Sequence, residues 1–387
     1  MREIIRPLKP VKNRPNHFSA PVLRPVHLHP SIVGEPLPWD VYTEAGVLVA
    51  GAGMVVTSET HFRKLVARPL FRETHAGEGY AMPVGINLLE RLETLAREAD
   101  ALLTPPYSVL LAEQLHELLK ALLKTLRLDP DACIGYLRRA TPARPSVHHS
   151  LHVLAVAELV SDRLDFDEAQ QLSLAGAALT MNLAVLEVQD RLYRYPRFTE
   201  AGDRAAILAH PRSAVDSLRN GCVTDEDWLQ AVAQHHENID GSGYPAGLGI
   251  EAISPMARLI RVADVYCARI SGRHYRPPQT TRAAMKDLFG RDRAHLDPQI
   301  SAQLLRVMGL YPPGTLVRLA NGESACITRR GHRGVAHYAT SFLDSRGRLM
   351  EVPRERPLDR QTYALRGFLE VEQDWPDIDW KKLWGYP

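Results

Sequence analysis

From about residue 144 to about 290 the apolar residues recur at helical spacing, and this stretch restricts the chain to folds built on a helical core. "SVHHSLHVLAVAELV" places Val147, Leu151, Leu154 and Ala155 on one face. The punctuation is helical as well. In "DFDE", Asp165 is expected to cap a helix, with Glu168 three residues on completing a capping box. Thr224 is the expected N-cap of "TDEDWLQAVAQHHE", whose early acids suit the helix dipole. "SPMARLIRVADVYCARISG" offers Ser254 as N-cap, Pro255 at the first helical position and Gly272 just past the end.

The flanks read differently. Residues 1–30 are proline-rich with few apolar clusters, and an extended, partly disordered arm is expected there. Residues 31–84, around "LPWDVYTEAGVLVAGAGMVV", suggest a small β-rich or mixed N-terminal module. Residues 85–134 carry two amphipathic patterns, "GINLLERLETLAREADALL" and about Ser108 to Leu126. Such a pair of connecting helices can link modules, form a homodimer seam or pack on its own core. Residues 135–310 form the expected helical domain, and 311–387 a C-terminal β-rich module with the strand-like "TLVRLANGESACITRRG" and "HYATSFLDSRGRLMEVP". The expected fold class is mainly α, a helical bundle flanked by small N-terminal and C-terminal β-containing modules.

Composition excludes several functions. A formal net charge of +2 over 387 residues provides no global field for a nucleic acid duplex. No window reaches 18 apolar residues, so no membrane span is expected. The basic start lacks the apolar region of a signal peptide. Cys133, Cys222, Cys267 and Cys326 are scattered without CxxC spacing, which argues against disulfides and a cysteine zinc site and fits a cytoplasmic protein.

Six histidines fall between 148 and 236. His149 and His152 are three apart on one helix, His210 precedes Pro211 at an expected helix end, and His235 and His236 close another helix. Asp264 sits inside the apolar "LIRVADVYCA" and needs a partner, for which Arg261 is one candidate. Imidazoles and carboxylates on facing helices are how bundles hold transition metals. Each residue alone also reads as an ordinary satisfied side chain. The stretch "HHENIDGSGYP" tips the balance: it fits HHExxDGxGYP at His235, His236, Glu237, Asp240, Gly241, Gly243, Tyr244 and Pro245.

This stretch resembles the HD-GYP family, a branch of the HD phosphohydrolases, over roughly residues 135 to 310. "HHSLHV" is similar to the family's opening helix, "AHP" to its middle histidine, and "RVADVYCARISGRHYR" to its late aspartate helix. The resemblance implies an HD-type helical bundle of bacterial signalling that hydrolyses cyclic di-GMP to a linear dinucleotide and GMP at iron or manganese ions. It implies His149, His210, His235, His236 and Asp264 as metal ligands. Gly243, Tyr244 and Pro245 would shape the rim of the site, and Arg273 and Arg276 would face phosphate.

One family feature is replaced. The adjacent His-Asp that gives the family its name falls on Met181-Asn182, and the following Gly-Lys on Ala184-Val185. Asn182 is neutral and offers one carbonyl where an aspartate would bridge two cations. Met181 supplies a soft thioether unsuited to hard-ligand metal sites. Pro145 stands where some members place a further glutamate ligand. With the remaining groups spread over several ions, none keeps three protein ligands, so hydrolysis is expected to be lost or impaired. Three readings follow: a non-catalytic or impaired relative that binds cyclic di-GMP or a signalling protein partner, an active metal-dependent phosphodiesterase, and a scaffold with inherited histidines. An iron or manganese cofactor is expected only if the surviving ligands suffice to hold it.

Overall fold

The computed structural model describes residues 22–26, 28, 32–34, 36–37, 40–43, 45–66, 70–74, 87–195, 197, 202–273, 275–331, 336–369 and 376–386. At the N-terminal side lie β1 (Val22–Val26), β2 (Val41–Tyr42), β3 (Leu48–Ala50), α1 (Glu59–Val66) and β4 (Leu70–Thr74). The strands form one sheet in the order β1-β4-β2-β3 over a small core that includes Val41, Val56, Phe62 and Leu70. The expected arm therefore ends early: Val22 pairs with Thr74 and Val26 with Leu70, antiparallel. Pro25 disguises the strand, yet β1 is a sheet edge, where a missing N–H is tolerated. Residues 1–21, 27 and 29–30 of that arm lie outside the described residues.

The middle of the chain is helical: α2 (Leu88–Leu102), α3 (Leu111–Leu128), α4 (Pro130–Arg139), α5 (Pro145–Ser161), α6 (Glu168–Thr180), α7 (Leu186–Arg194), α8 (Asp203–Asn220), α9 (Glu226–Gln234), α10 (Pro255–Ile270), α11 (Thr281–Phe289) and α12 (Pro298–Met308). α5 is apolar nearly all round, with Val147, Leu151, Val153, Leu154, Val156 and Ala157 all buried, so it takes the centre and α6 and α10 pack on it. α2 and α3 do not span a gap between modules. Their Leu92, Leu95, Leu115, Leu119 and Leu122 enter the same core as α5.

Two expected caps move. Asp165 has a left-handed φ of 56°, and Asp167 caps α6 in a box with Gln170. Asp225, not Thr224, caps α9 by accepting from the Trp228 N–H. Ser254 caps α10 as expected, accepting from Ala257 N–H. Gly176 lets α6 approach α9 closely: a Cβ there would meet the Trp228 ring at 2.5 Å, and the indole N–H donates to Thr180 Oγ1 at 2.8 Å. The stretch Glu168–Arg194 is long and apolar enough to cross a membrane by composition, and 72% of its apolar window is buried within the protein.

The C-terminal strands are β5 (Leu316–Leu319), β6 (Ser324–Arg330), β7 (Ala336–Leu343), β8 (Leu349–Pro357) and β9 (Leu365–Phe368), antiparallel in the order β8-β7-β6-β5-β9. This sheet shares the helical core, to which it adds Leu316, Cys326 and Phe342. Arg329 and Arg330 of β6 pair with Asp129 and Asp131 at 2.7 and 2.5 Å, ahead of and within α4. Trp384, 1% exposed, closes the junction, packing where Gly135 leaves room and donating its indole N–H to Thr328 O.

Candidate metal centre and adjoining cavity

His210 does not stand at a helix end, because α8 runs on through Pro211. Proline has no N–H for the Ile207 carbonyl four residues back. The imidazole takes that acceptor instead, with His210 Nδ1 2.6 Å from Ile207 O. His235, at the C-terminus of α9, does the same with Val232 O, also at 2.6 Å. Carbonyls only accept, so each Nδ1 carries the proton and each Nε2 keeps its lone pair. The packing of α8 on α9 then sets the two Nε2 atoms 3.0 Å apart. Burial holds both rings neutral, lowering His210 and pushing His235 down to about 3, where the neighbouring imidazole adds to the effect. Two lone pairs at this distance repel unless a cation lies between them. The spacing suits one: imidazole nitrogens each about 2.1 Å from one ion at a right angle lie roughly 3 Å apart. A nitrogen of His236 completes a group whose ligand atoms all fall within 4.8 Å of one another.

Beside this trio the contacts continue. The Tyr244 ring stacks on His236 with centroids 4.6 Å apart. Arg261 Nη1 lies 3.2 Å from His236 Nδ1 and 3.8 Å from Asp264 Oδ2. His149 Nε2 donates to Asp264 Oδ1 at 2.8 Å. Burial opposes a charge on Asp264, but the His149 hydrogen bond, the nearby His149 and His236 rings and the Arg261 guanidinium outweigh it and hold the carboxyl well below its usual range. His149, His210, His235, His236 and Asp264 thus form one connected set contributed by α5, α8, α10 and the C-terminal end of α9.

The motif itself is a self-contained loop. Glu237, 2% exposed, accepts from Ala246 N–H at 2.7 Å and Leu248 N–H at 2.9 Å, which ties the loop beyond Pro245 back to the histidines. Asp240 Oδ1 accepts from Ser242 N–H and Oγ–H and closes the turn. Position 243 admits only glycine: a Cβ would meet Asn238 N at 2.3 Å and His236 O at 2.6 Å. Tyr244 N–H donates to His236 O at 3.2 Å, which brings its ring over the imidazole.

A cavity of about 300 Å³ opens on His149, His210, His236 and Asp264, and Tyr244 and Arg273 also line it. Arg276 is not among its lining residues; its guanidinium donates to Ala268 O. Gly243 and Pro245 of the motif are likewise not among its lining residues. Met181 is fully buried, and Asn182, 2% exposed, leaves its Oδ1 without a hydrogen-bond partner among the described residues. The turn that follows, Leu183–Val185, packs against α8, the helix of His210. Sequence reasoning missed Arg138, which lines the cavity and donates to Thr315 Oγ1 at 2.8 Å. Among the described residues no carboxylate pairs with it. Its position in "YLRRATP" carries no signal, because basic residues at a helix C-terminus are common.

Fold and site together define an HD domain, and residues 120–300 match the family model of that description. This match, the intact HHExxDGxGYP loop and the relatives below support assignment of the region to the HD-GYP family. It is 26% identical to a cyclic di-GMP phosphodiesterase of Pseudomonas aeruginosa over 258 residues, which are 66% of this chain and 62% of the relative. It is 32% identical over 155 residues to the cyclic di-GMP phosphodiesterase response regulator RpfG of Xanthomonas campestris, covering 39% of this chain and 40% of that one. A 3'3'-cGAMP-specific phosphodiesterase of Vibrio cholerae is 26% identical over 164 residues, 42% of this chain and 35% of that one. The chain therefore spans less than two thirds of the length of these relatives.

Proposed function

We propose that this chain acts in cyclic di-GMP signalling as an HD-GYP protein that binds the nucleotide and a divalent cation but turns the nucleotide over poorly or not at all. One observation carries the reading. His210 and His235 offer two lone pairs to a cation, while the turn that would add an acid offers Met181 and Asn182. His210 and His235 would hold the ion between their Nε2 atoms. A bound divalent cation would supply charge for a phosphate and a polarised water. The chain's own residues do the rest. Arg273 and the carboxylate-free Arg138 give the cavity positive charge for a phosphodiester. The Tyr244 ring, stacked on His236, gives a base or ribose an apolar edge. Among the described residues no acid beyond Asp264 lines the cavity, and Asp264 is engaged by His149, so none of them offers a free carboxylate as general base close to the cation.

The test uses the purified full chain with Mn(II) or Fe(II). Calorimetry with cyclic di-GMP is expected to show binding, with cyclic GMP–AMP as the competing ligand, while chromatography finds no linear dinucleotide. Sustained turnover near one per second, abolished by His235→Ala, would establish the active phosphodiesterase instead. Absence of binding to either nucleotide would remove the nucleotide from the proposal.

A further inference from the structure

We propose that Arg261 is a resident cation that stands where the site would otherwise take a second metal ion, and that it withdraws His236 and Asp264 from metal binding. The inference rests on the cation-binding reading of His210 and His235. Arginine has five N–H donors and no acceptor. Its Nη1, 3.2 Å from His236 Nδ1, can therefore only donate, so that nitrogen carries the lone pair. A neutral imidazole has one lone pair, and His236 spends it on Arg261, which leaves an N–H at Nε2. A ring in this state cannot bind a metal through either nitrogen. The same Nη1 lies 3.8 Å from Asp264 Oδ2, and His149 Nε2 holds Oδ1 at 2.8 Å, so both carboxylate oxygens face protein donors.

The guanidinium is locked in place by a residue from a variable position of the motif. Asn238, the first x of HHExxDGxGYP, directs Nδ2 to Ser242 Oγ at 3.0 Å and to His295 Nδ1 at 3.2 Å. Its Oδ1 is left to accept from Arg261 Nε at 3.2 Å and Nη2 at 3.0 Å. This fork fixes the plane of the guanidinium and aims Nη1 at His236. No carboxylate of the described residues comes closer to Arg261 than Asp264. A fixed single positive charge among His149, His236 and Asp264 does the electrostatic work of an ion there and keeps a divalent cation out. With Arg261 removed, those three groups would supply one imidazole each from α5 and the motif and a carboxylate from α10, the three protein ligands that a metal with open positions requires.

The experiment counts metal. Wild type, Arg261→Ala and Arg261→Met are each loaded with Mn(II), desalted and measured by mass spectrometry, with His235→Ala alongside. Methionine keeps the apolar stem and serves if alanine disturbs the fold. Each Arg261 variant is expected to hold one more Mn(II) per chain than wild type, with spin coupling between two ions in its electron paramagnetic resonance spectrum. In the metal-free protein, ¹⁵N shifts of His236 are expected to show Nδ1 unprotonated in wild type and to change in both variants. A folded variant with no gain in Mn(II), or with unchanged His236 shifts, would overturn the inference. A wild type that holds no more Mn(II) than His235→Ala would instead overturn the reading of the His210–His235 pair, and the gain on removing Arg261 still decides this one.

Discussion

His210 Nε2 faces His235 Nε2 across 3.0 Å, although each ring already donates from Nδ1 to a carbonyl of its own helix. Neither ring keeps an N–H to bridge the gap, and the proposed cation site rests on this. His235→Ala is expected to weaken Mn(II) or Fe(II) binding on the order of 100-fold or more, because loss of an outer partner alone costs 10–100-fold. Isothermal titration of the variant checks this, and unchanged affinity would show that the ion sits elsewhere.

Glu237 should behave as the tether of the loop. Glu237→Gln keeps one oxygen acceptor and turns an amide N–H₂ toward Ala246 or Leu248, both of which donate to the present carboxylate. One buried backbone N–H then goes unpaired, at a cost of about 1–3 kcal/mol. A drop of several degrees in thermal midpoint is expected, together with weaker nucleotide binding. A variant as stable as wild type would mean that the loop stands without its tether.

Gly243→Ala places a methyl against Asn238 N and His236 O, backbone atoms that cannot swing aside. The strain is expected to cost about 1–3 kcal/mol and to lift Tyr244 off His236. Quenching or chemical-shift change at Tyr244 reports the second effect. Wild-type stability combined with an unmoved ring would contradict the contact.

Met181→His with Asn182→Asp tests the replaced slot. Both residues are buried, so an added aspartate without a partner destabilises the apoprotein. Mn(II) is expected to raise the thermal midpoint of the double variant more than that of wild type, because a ligand bound only by the folded state stabilises it. Equal metal response in the two proteins would place the slot away from the ions.

His152 should make stability fall on mild acidification. It is 1% exposed and neither ring nitrogen has a hydrogen-bond partner among the described residues. Burial, helped by His148, His149, Arg138 and Arg139, holds it well below the ordinary histidine range. Above about pH 6.5 the ring is neutral whether folded or unfolded; below it only the unfolded chain takes the proton, so stability drops. The loss is roughly 1 kcal/mol between pH 6.5 and 5.5, a window in which ordinary carboxylates do not titrate. His148, His210, His235 and His236, also lowered, act with the same sign. His152→Leu is expected to flatten the fall of thermal midpoint from pH 7.5 to 5.5, and an unchanged slope would assign the effect to the other histidines.

Some of this was legible in the residues alone, because it is settled within a few positions of the chain. The Glu237 carboxylate reaches Ala246 and Leu248 only 9 and 11 residues away, Gly243 answers a clash inside the same loop, and Ser254 caps its own helix. The helical periodicity from about 144 to 290 is local in the same sense. Tertiary structure decided the rest. His149 meets Asp264 across 115 positions, and Arg330 meets Asp131 across 199, which joins the C-terminal sheet to the helical core. Sequence offered Arg261 as a partner for Asp264, but its hold on Asn238 and His236 depends on how α10 lies against the motif loop. β1 became a strand despite Pro25 because β4 supplied an edge to pair with. Contacts of this kind follow from the packing of whole helices and sheets, a sum of many small burial terms that no short stretch of sequence contains.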